Sequence, residues 1–343
     1  MDSFTEVSHQ SWGSRLRGSF QGIIVGFLLV AGGVSLLFWG EGRAVKRAKA
    51  LEEGASTVVS VDGSGPQSAN QGQLVHFWGD AIALEPVRDD LFGVEVDGLK
   101  LRREVEMYQW DEDVDSKTTK NSDGSTTTRK TYNYNKTWSS RAIDSSSFHR
   151  PGGHENPSFP DYDSSTVVAD TVTIGDWILT RRFVDKINRS ETLDVDDRIL
   201  EKARRSVDAE FVRGDGGLYL GSPGSASIGD VRVRFEVVPT TRVSVVGLQS
   251  GLELVPYTAK VGGDIVLVGY GDQTADAMFT RAKQGNIALT WGLRVLGFFI
   301  VFFGFVAILK PISVLADRVA FVANFVETGV NMIAFVLAIV VSL

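Results

Sequence analysis

The strongest constraint on this chain is an uncharged stretch near its beginning, Gly18 to Gly40. A helix of about 1.5 Å rise per residue would make this stretch roughly 34 Å long, enough to cross a hydrocarbon core of about 30 Å. Arg15 and Arg17 precede it, and Trp39 stands at its far end, where an indole ring favours the headgroup level. The pattern predicts a transmembrane helix rather than a buried helix of a soluble protein.

A second apolar region lies at the other end of the sequence. Residues 295–309 carry no charge, and together with residues 287–293 they are long enough for a full span, with Arg294 paired or snorkelling. Thirteen apolar residues at the end are too few to span alone, so that helix either begins near Val319 or stops partway through a hairpin. The predicted segments are a mobile tail at 1–17, transmembrane helix 1 at 18–40, a β-rich water-facing domain at 41–273, a helix leading into transmembrane helix 2 at 274–310, an amphipathic interfacial helix at 312–329 and the start of a further membrane helix at 330–343.

Charge and cysteine content exclude several kinds of function. The chain has 35 Lys and Arg against 42 Asp and Glu, a formal net charge of −7, so bulk attraction to nucleic acid is not indicated. It contains no cysteine, which excludes disulfides, thiol catalysis and cysteine-based metal sites. Most of the charged residues lie in the middle of the chain, between the two apolar regions.

The middle of the chain has the alternation typical of β-strands. Leu99–Trp110 places Leu and Val on one face and charged residues on the other, with Arg103 among the apolar positions. A turn at 122–125 separates it from the alternating Thr126–Trp138, which predicts a long hairpin over 99–138 with a projecting tip. A loose likeness between 72–107 and 216–237 suggests a duplicated β unit. The predicted fold class is an α+β membrane protein, with a β-rich extracytoplasmic domain between an N-terminal transmembrane helix and C-terminal transmembrane helices.

No catalytic, cofactor-binding or metal-binding residue is predicted. His149 and His154 lie in a Pro/Gly-rich loop without a metal-binding spacing, so structural histidines are favoured. An acidic run is more typical of a solvated strand end than of a cation site. Its members are Asp111, Glu112, Asp113 and Asp115. Glu327, Asn331 and Arg294 lie in or near membrane helices and are the candidates for a transport path.

Several stretches together resemble a known family. They include VEMYQW at 105–110, YNYNKTW at 132–138 and GHENPS at 153–158, in an order and spacing similar to the transmembrane protein 43 family, also called LUMA. The resemblance implies one N-terminal membrane helix, a large loop domain on the lumenal side and a group of C-terminal membrane helices. It also implies a further hydrophobic hairpin at the end, whereas this sequence stops at Leu343. No catalytic residue is implied.

The resemblance also suggests a location and partners. In animals the family is known in the endoplasmic reticulum and inner nuclear membrane, with self-association and partners such as emerin and lamins; a bacterial member would lie in the inner membrane without those partners. The flanking Lys and Arg, seven on the domain side against four on the other, would place the domain inside. Long domains follow this rule poorly, so the extracytoplasmic side implied by the family is favoured.

The sequence therefore favours a non-enzymatic, membrane-anchored, self-associating scaffold. Its expected partners are the lipid bilayer, further copies of the chain and an unidentified membrane protein, with no nucleic acid and no cofactor. One alternative is a transport or channel component, and a less favoured one is a membrane-bound hydrolase using the loop at 149–163.

Overall fold

The computed structural model describes residues 2–317 and 320–342, which divide into two compact units. The first unit comprises Met1–Lys49, Asp113–Asn133 and Lys283–Leu343, and the second comprises Ala50–Glu112 and Tyr134–Ala282. The helices are α1 (Trp12–Thr57), α2 (Arg181–Val184), α3 (Asp197–Val207), α4 (Ala275–Ala316) and α5 (Ala320–Ser342). The strands are β1 (Asp2–Gln10), β2 (Val59–Ser60), β3 (Leu74–Ala83), β4 (Val87–Asp89), β5 (Val94–Val96), β6 (Lys100–Lys120), β7 (Thr126–Ser139), β8 (Ser165–Val168), β9 (Val172–Ile174), β10 (Trp177–Leu179), β11 (Glu191–Thr192), β12 (Val212–Gly214), β13 (Gly217–Leu220), β14 (Val231–Val238), β15 (Thr241–Ser250), β16 (Glu253–Val255), β17 (Tyr257–Thr258), β18 (Asp264–Ile265) and β19 (Leu267–Tyr270).

Within residues 2–317 and 320–342, three helices are long and apolar enough to cross a membrane. They are α1, α4 and the Phe325–Ser342 part of α5. In the first unit α5 packs on α4 through aromatic rings, with Phe335 edge-on to Phe298 at 5.6 Å between ring centroids. The predicted α+β class, with one apolar helix before a β-rich middle and two after it, is confirmed.

The predicted mobile tail at 1–17 is wrong. Residues Asp2–Gln10 form β1, which pairs with β7, and α1 already begins at Trp12. Phe4 stacks on Tyr132 with ring centroids 6.3 Å apart. A strand at a sheet edge needs main-chain partners more than an apolar run of its own, so its sequence carries little signal.

The predicted ends of the C-terminal segments also differ from the structure. Pro311 lies inside α4, which continues to Ala316, so the predicted helix end at 310 is wrong. In the described part of 312–329, residues 312–316 belong to α4 and residues 320–329 belong to α5, so these residues form no separate interfacial helix. Helices in membranes tolerate proline because neighbouring groups satisfy the freed backbone. Of the segment predicted at 330–343, residues 330–342 belong to the longer helix α5, in line with the alternative of an earlier start. Residues 318, 319 and 343 lie outside the described residues.

The second unit contains two large sheets with apolar interiors and two sheets of two strands each, β4 with β5 and β17 with β18. In one, β6 pairs antiparallel with β14, and their inward side chains Leu101, Val105 and Phe235 are fully buried. In the other, β3 pairs antiparallel with β15, and Phe77 stacks on Trp177 at 4.3 Å between centroids. Strands β6 and β7 also extend into the first unit, where β1 pairs with β7 at the edge of the same sheet.

The sheet topology does not repeat in the way that the possible duplication of a β unit suggests. Strands β13 and β14 are neighbours in one sheet, whereas β3 and β6, their supposed counterparts, lie in different sheets. The likeness reflects only the two-residue alternation that half-buried strands share.

Arg103 is a buried cation on the apolar side of β6. Its guanidinium forms an ion pair with the buried carboxylate of Asp89 and donates from Nε to the carbonyl of Asp163 at 2.9 Å. Asp89 also accepts the backbone N–H of Phe92 at 2.9 Å. The pair thus satisfies a charge that the strand pattern alone leaves inside the core.

We expect Arg103→Met to lower the free energy of unfolding by about 3–5 kcal/mol, because it leaves the Asp89 carboxylate buried without its cation. Arg102→Met is the matched control: its side chain is 57% exposed and 4.0 Å from Glu236, so it should cost less than about 1 kcal/mol. Denaturant unfolding followed by tryptophan fluorescence measures both. Equal costs would show that the buried pair does not matter.

Candidate functional site

Helices α1 and α4 approach closely because both carry glycine at the contact. A Cβ added at Gly26 would lie 2.7 Å from the carbonyl oxygen of Gly304, and one added at Gly304 would lie 2.9 Å from that of Gly26. A real Cβ would not fit at either position, because both distances are shorter than the contacts that Cβ atoms make. Glycines on both helices are therefore required at this crossing, as in small-residue packing between membrane helices.

The same contact extends along both helices and shows that they run antiparallel. Gly22 lies beside Ala307 near one end, and a Cβ at Gly40 would be 3.7 Å from the Cβ of Leu293 near the other. Between them, a Cβ at Gly33 would lie 2.7 Å from Val301. The G-x-x-x-G pattern at Gly22 and Gly26 is thus part of a longer glycine-lined contact.

One polar cluster closes this helix pair at its Glu41 end. Arg294 donates from Nε and Nη2 to the two carboxylate oxygens of Glu41, at 2.6 Å and 3.0 Å. Asn286 accepts from Arg43 at 3.1 Å and donates to the carbonyl of Ala44 at 3.0 Å. Arg294 is therefore paired, one of the two arrangements expected for it.

A second cluster closes the opposite end around Asp317, whose side chain is 2% exposed. Arg15 donates to its carboxylate at 2.7 Å and Lys120 at 3.2 Å. Arg15 also donates to the carbonyl of Gly124, at the tip of the β6–β7 hairpin. One buried carboxylate thus joins the start of α1, the end of α4 and the hairpin tip, which is held rather than projecting.

Lys120 carries a second ion pair in this cluster. Its ammonium lies 2.5 Å from a carboxylate oxygen of Glu327 on α5. Burial acts to lower the pKa of Lys120, but hydrogen bonds to Glu327 and Asp317 outweigh it and the pKa is raised. The lysine therefore stays charged throughout the physiological pH range.

The three candidates for a transport path are not brought together. Glu327 pairs with Lys120 at one end of the first unit, and Arg294 pairs with Glu41 at the other. Asn331 is exposed on α5.

The histidines of the proposed hydrolase loop have structural surroundings. His154 is buried, stacks on Tyr134 at 3.9 Å between centroids, and its Nδ1 lies 3.1 Å from the carbonyl of Arg150. His149 donates its backbone N–H to Glu112 at 2.7 Å.

The three stretches that carry the family resemblance meet in this part of the second unit. Asn156 accepts the backbone N–H of Trp110 at 2.7 Å and donates to its carbonyl at 2.9 Å, so it acts like an extra strand residue. His154 lies between Trp110 and Tyr134. The motif residues thus fix a loop on the hairpin.

The acidic run on β6 does not converge on a metal site. Glu112 accepts from His149, and Asp115 accepts from Asn133 at 3.0 Å. Among residues 2–317 and 320–342, no group of three or more His, Asp or Glu side chains is placed to hold a metal ion.

We expect the double substitution Gly40→Cys with Leu293→Cys to form a disulfide on mild oxidation, because the two Cβ positions are at bridging distance. The cysteine-free chain gives a clean background. Adding Gly26→Leu should sharply reduce the bridge, whereas adding Gly32→Leu should not, since nothing lies within 4 Å of a Cβ there. Gel mobility under non-reducing conditions measures it. Equal bridging with both additions would contradict the glycine contact.

We expect Asp317→Asn to loosen the hairpin tip, because it leaves Arg15 and Lys120 without their shared carboxylate. Lost charged hydrogen bonds of about 2 kcal/mol would raise the rate of tryptic cleavage near Lys120 roughly 30-fold. Glu327→Gln removes the other, 46% exposed partner of Lys120 and should change the rate less than about fivefold. Timed proteolysis of the detergent-solubilised protein distinguishes them, and equal rates would disprove the role of Asp317.

Comparison with known proteins identifies relatives of this chain. The sequence model of a family described as transmembrane protein 43 matches residues 107–343. Transmembrane protein 43 of Mus musculus is 33% identical over 335 residues, covering 94% of this chain and 82% of that protein. The Drosophila melanogaster homolog of transmembrane protein 43 is 30% identical over 355 residues, covering 100% of this chain and 90% of that protein.

No solved structure matches the chain significantly. The family match covers well over half of the residues, and the relatives match almost from end to end. With its three candidate spans, the chain belongs to the transmembrane protein 43 family of integral membrane proteins.

Proposed function

We propose that this chain is a membrane-anchored scaffold that associates with copies of itself and organises a membrane or protein complex. The observation that carries the proposal is a second small-residue face on α1. Ala31, Gly32 and Ser35 are exposed there, and nothing described lies within 4 Å of a Cβ at Gly32. Small residues let membrane helices approach closely, so this face suits a helix from another copy.

The opposite face of the same helix shows how such residues are used. Gly26 and Gly33 are already covered by α4 within the chain. Helix α1 therefore has one small-residue face occupied internally and another turned outward. A helix that needed only a lipid-facing outer side would have no use for a groove of small residues there.

Other features support a role without catalysis. The family is not known for enzymatic activity, and the buried His154 is occupied by stacking and a backbone contact. The bilayer is the first partner, because the apolar faces of α1, α4 and α5 are exposed. An unidentified membrane protein remains part of the proposal.

The extracytoplasmic placement of the chain that follows Glu41 is also a proposal, supported by the family resemblance. The contacts of the hairpin tip indicate that not all of the chain after Glu41 lies on one side of the bilayer. Arg15 and Glu41 lie about 39 Å apart along α1, so an upright span puts them at opposite faces of the bilayer. Because Lys120 and Gly124 contact the Arg15 cluster, we propose that the hairpin tip reaches the face opposite to Glu41.

The proposed position of the hairpin tip also supports self-association, because it places polar strands at membrane depth. The strands leading to the tip, residues 113–133 with β1, are polar. Non-helical backbone at membrane depth is tolerated only where protein buries it or water lines it. Neighbouring copies of the chain would provide the protein cover.

The same strands favour transport as the second candidate function. If they line water instead of a neighbouring subunit, the path would be bordered by Thr, Asn and charged side chains of 113–133. A monomer that conducts ions after reconstitution would support this alternative over the scaffold.

We expect Gly32→Leu to weaken self-association roughly tenfold or more, because the added side chain fills the uncovered face of α1. Phe27→Leu, at an exposed apolar position of the same helix, is the control and should leave association unchanged. Mass measurement in nanodiscs, with crosslinking in intact membranes, checks both. A wild-type protein that is monomeric in both measurements would refute the scaffold.

A further inference from the structure

The polar side of the β6–β14 pair carries a ladder of opposite charges. Register places Arg232 across from Glu106, and their side chains are 2.7 Å apart. Arg234 lies across from Glu104 at 3.1 Å. Cross-strand pairs of this kind stabilise a sheet, and each cation here has its carboxylate.

At Lys100, the end of this ladder, the cation has no carboxylate across from it. Lys100 lies across from Val238 on β14 and across from Val168 on β8, so both cross-strand neighbours are apolar. The side chain is nevertheless buried, at 6% exposure. Its ammonium donates to the amide oxygen of Asn188 at 2.7 Å, and no carboxylate lies within 4.0 Å of it among the described residues.

An ammonium in this position is costly without an anion. Burial lowers the pKa of Lys100, and the more distant Asp185 opposes this only in part. Asn188 satisfies one of the three ammonium protons but does not neutralise its charge.

Lys100 lies in a cleft of about 660 Å³ within the second unit. Arg102, Arg103 and Arg181 add three further cations to its lining, of which Arg103 is the one already paired with Asp89. The carboxylates of the lining are engaged: Asp185 pairs with Arg181 at 2.9 Å, and Glu236 accepts from Ser190 at 3.0 Å. Four residues of the lining carry hydroxyl groups: Ser164, Ser165, Thr166 and Ser190.

We propose that this cleft binds an organic phosphate monoester, with Lys100 at its floor and Arg102 and the hydroxyls of β8 around the phosphate. Ammonium, guanidinium and hydroxyl groups together are the usual protein donors to phosphate. The volume is larger than inorganic phosphate requires and falls in the range of small-molecule sites. A soluble phosphate ester and a phosphorylated lipid headgroup both present this chemistry. The site is independent of the proposed scaffold role.

The first test measures thermal unfolding of the full-length protein in detergent. We expect glycerol 3-phosphate at saturation to raise the midpoint by about 5 °C, and the uncharged glycerol to have no effect. Inorganic phosphate should act more weakly, because it fills only part of the cleft. Isothermal titration of the wild-type protein gives an independent measure of binding.

Lys100→Met removes the charge and keeps an unbranched side chain of similar length. We expect it to abolish the response to glycerol 3-phosphate while the unliganded protein unfolds at the same or a higher temperature, since an unneutralised buried charge is gone. A purely structural lysine would instead lower that temperature. Arg198→Gln, whose side chain is 90% exposed outside the cleft, should bind as the wild type does.

Arg102→Gln covers the case in which Lys100→Met does not fold, and it should weaken binding at least fivefold. A second arm uses nanodiscs of phosphatidylcholine with and without phosphatidylinositol 4-phosphate. A response to the lipid alone assigns the headgroup, and a response to glycerol 3-phosphate assigns a soluble ester. No response to either probe, or an undiminished response in a folded Lys100→Met protein, overturns the proposal.

Discussion

The first unit depends on the contact between α1 and α4. In a bilayer the lipid tails are as apolar as the side chains, so burial of apolar surface gives helices no reason to meet. What remains is close van der Waals packing, and it is available here because Gly26 and Gly304 leave no Cβ between the two backbones. A single methyl group at either position forces the helices apart. The close packing of α1 and α4 therefore depends on the absence of a Cβ at Gly26 and at Gly304.

Polar clusters at both ends give this contact its direction, and they differ in strength. Glu41 and Arg294 are both about half-exposed, so water and salt screen their attraction. Asp317 is buried and joins two cations at once. Loss of a buried partner leaves uncompensated charge, which is far more costly than loss of an exposed one. The hairpin tip is thus attached at the stronger end.

The sequence predicted the features that have a local signal. A short stretch of sequence is enough to predict each of them: the apolar length of 18–40, the alternation of β6 and the turn at 122–125. The predictions of a mobile tail at 1–17 and of a helix end at Pro311 were wrong because both structures depend on other parts of the chain. Strand β1 forms because β7 provides its main-chain partner. Helix α4 continues through Pro311 because packing in the first unit tolerates a proline. The Lys120–Asp317 contact joins residues 197 positions apart, and no periodicity can indicate it. Arg294 was expected to be paired or snorkelling because an arginine in an apolar run has few other options.

Two cations near the start of β6 show how differently this fold treats buried charge. Arg103 points to the apolar side, where position alone suggests an unfavourable charge, yet Asp89 neutralises it and the backbone carbonyl of Asp163 accepts its Nε–H. Lys100 points to the polar side, where a partner is easier to provide, yet it faces two valines. This fold therefore provides a carboxylate for the buried Arg103 but none for Lys100, three residues earlier. Since an uncompensated ammonium carries a cost that Arg103 avoids, the simplest physical account is that the missing charge at Lys100 arrives with a ligand.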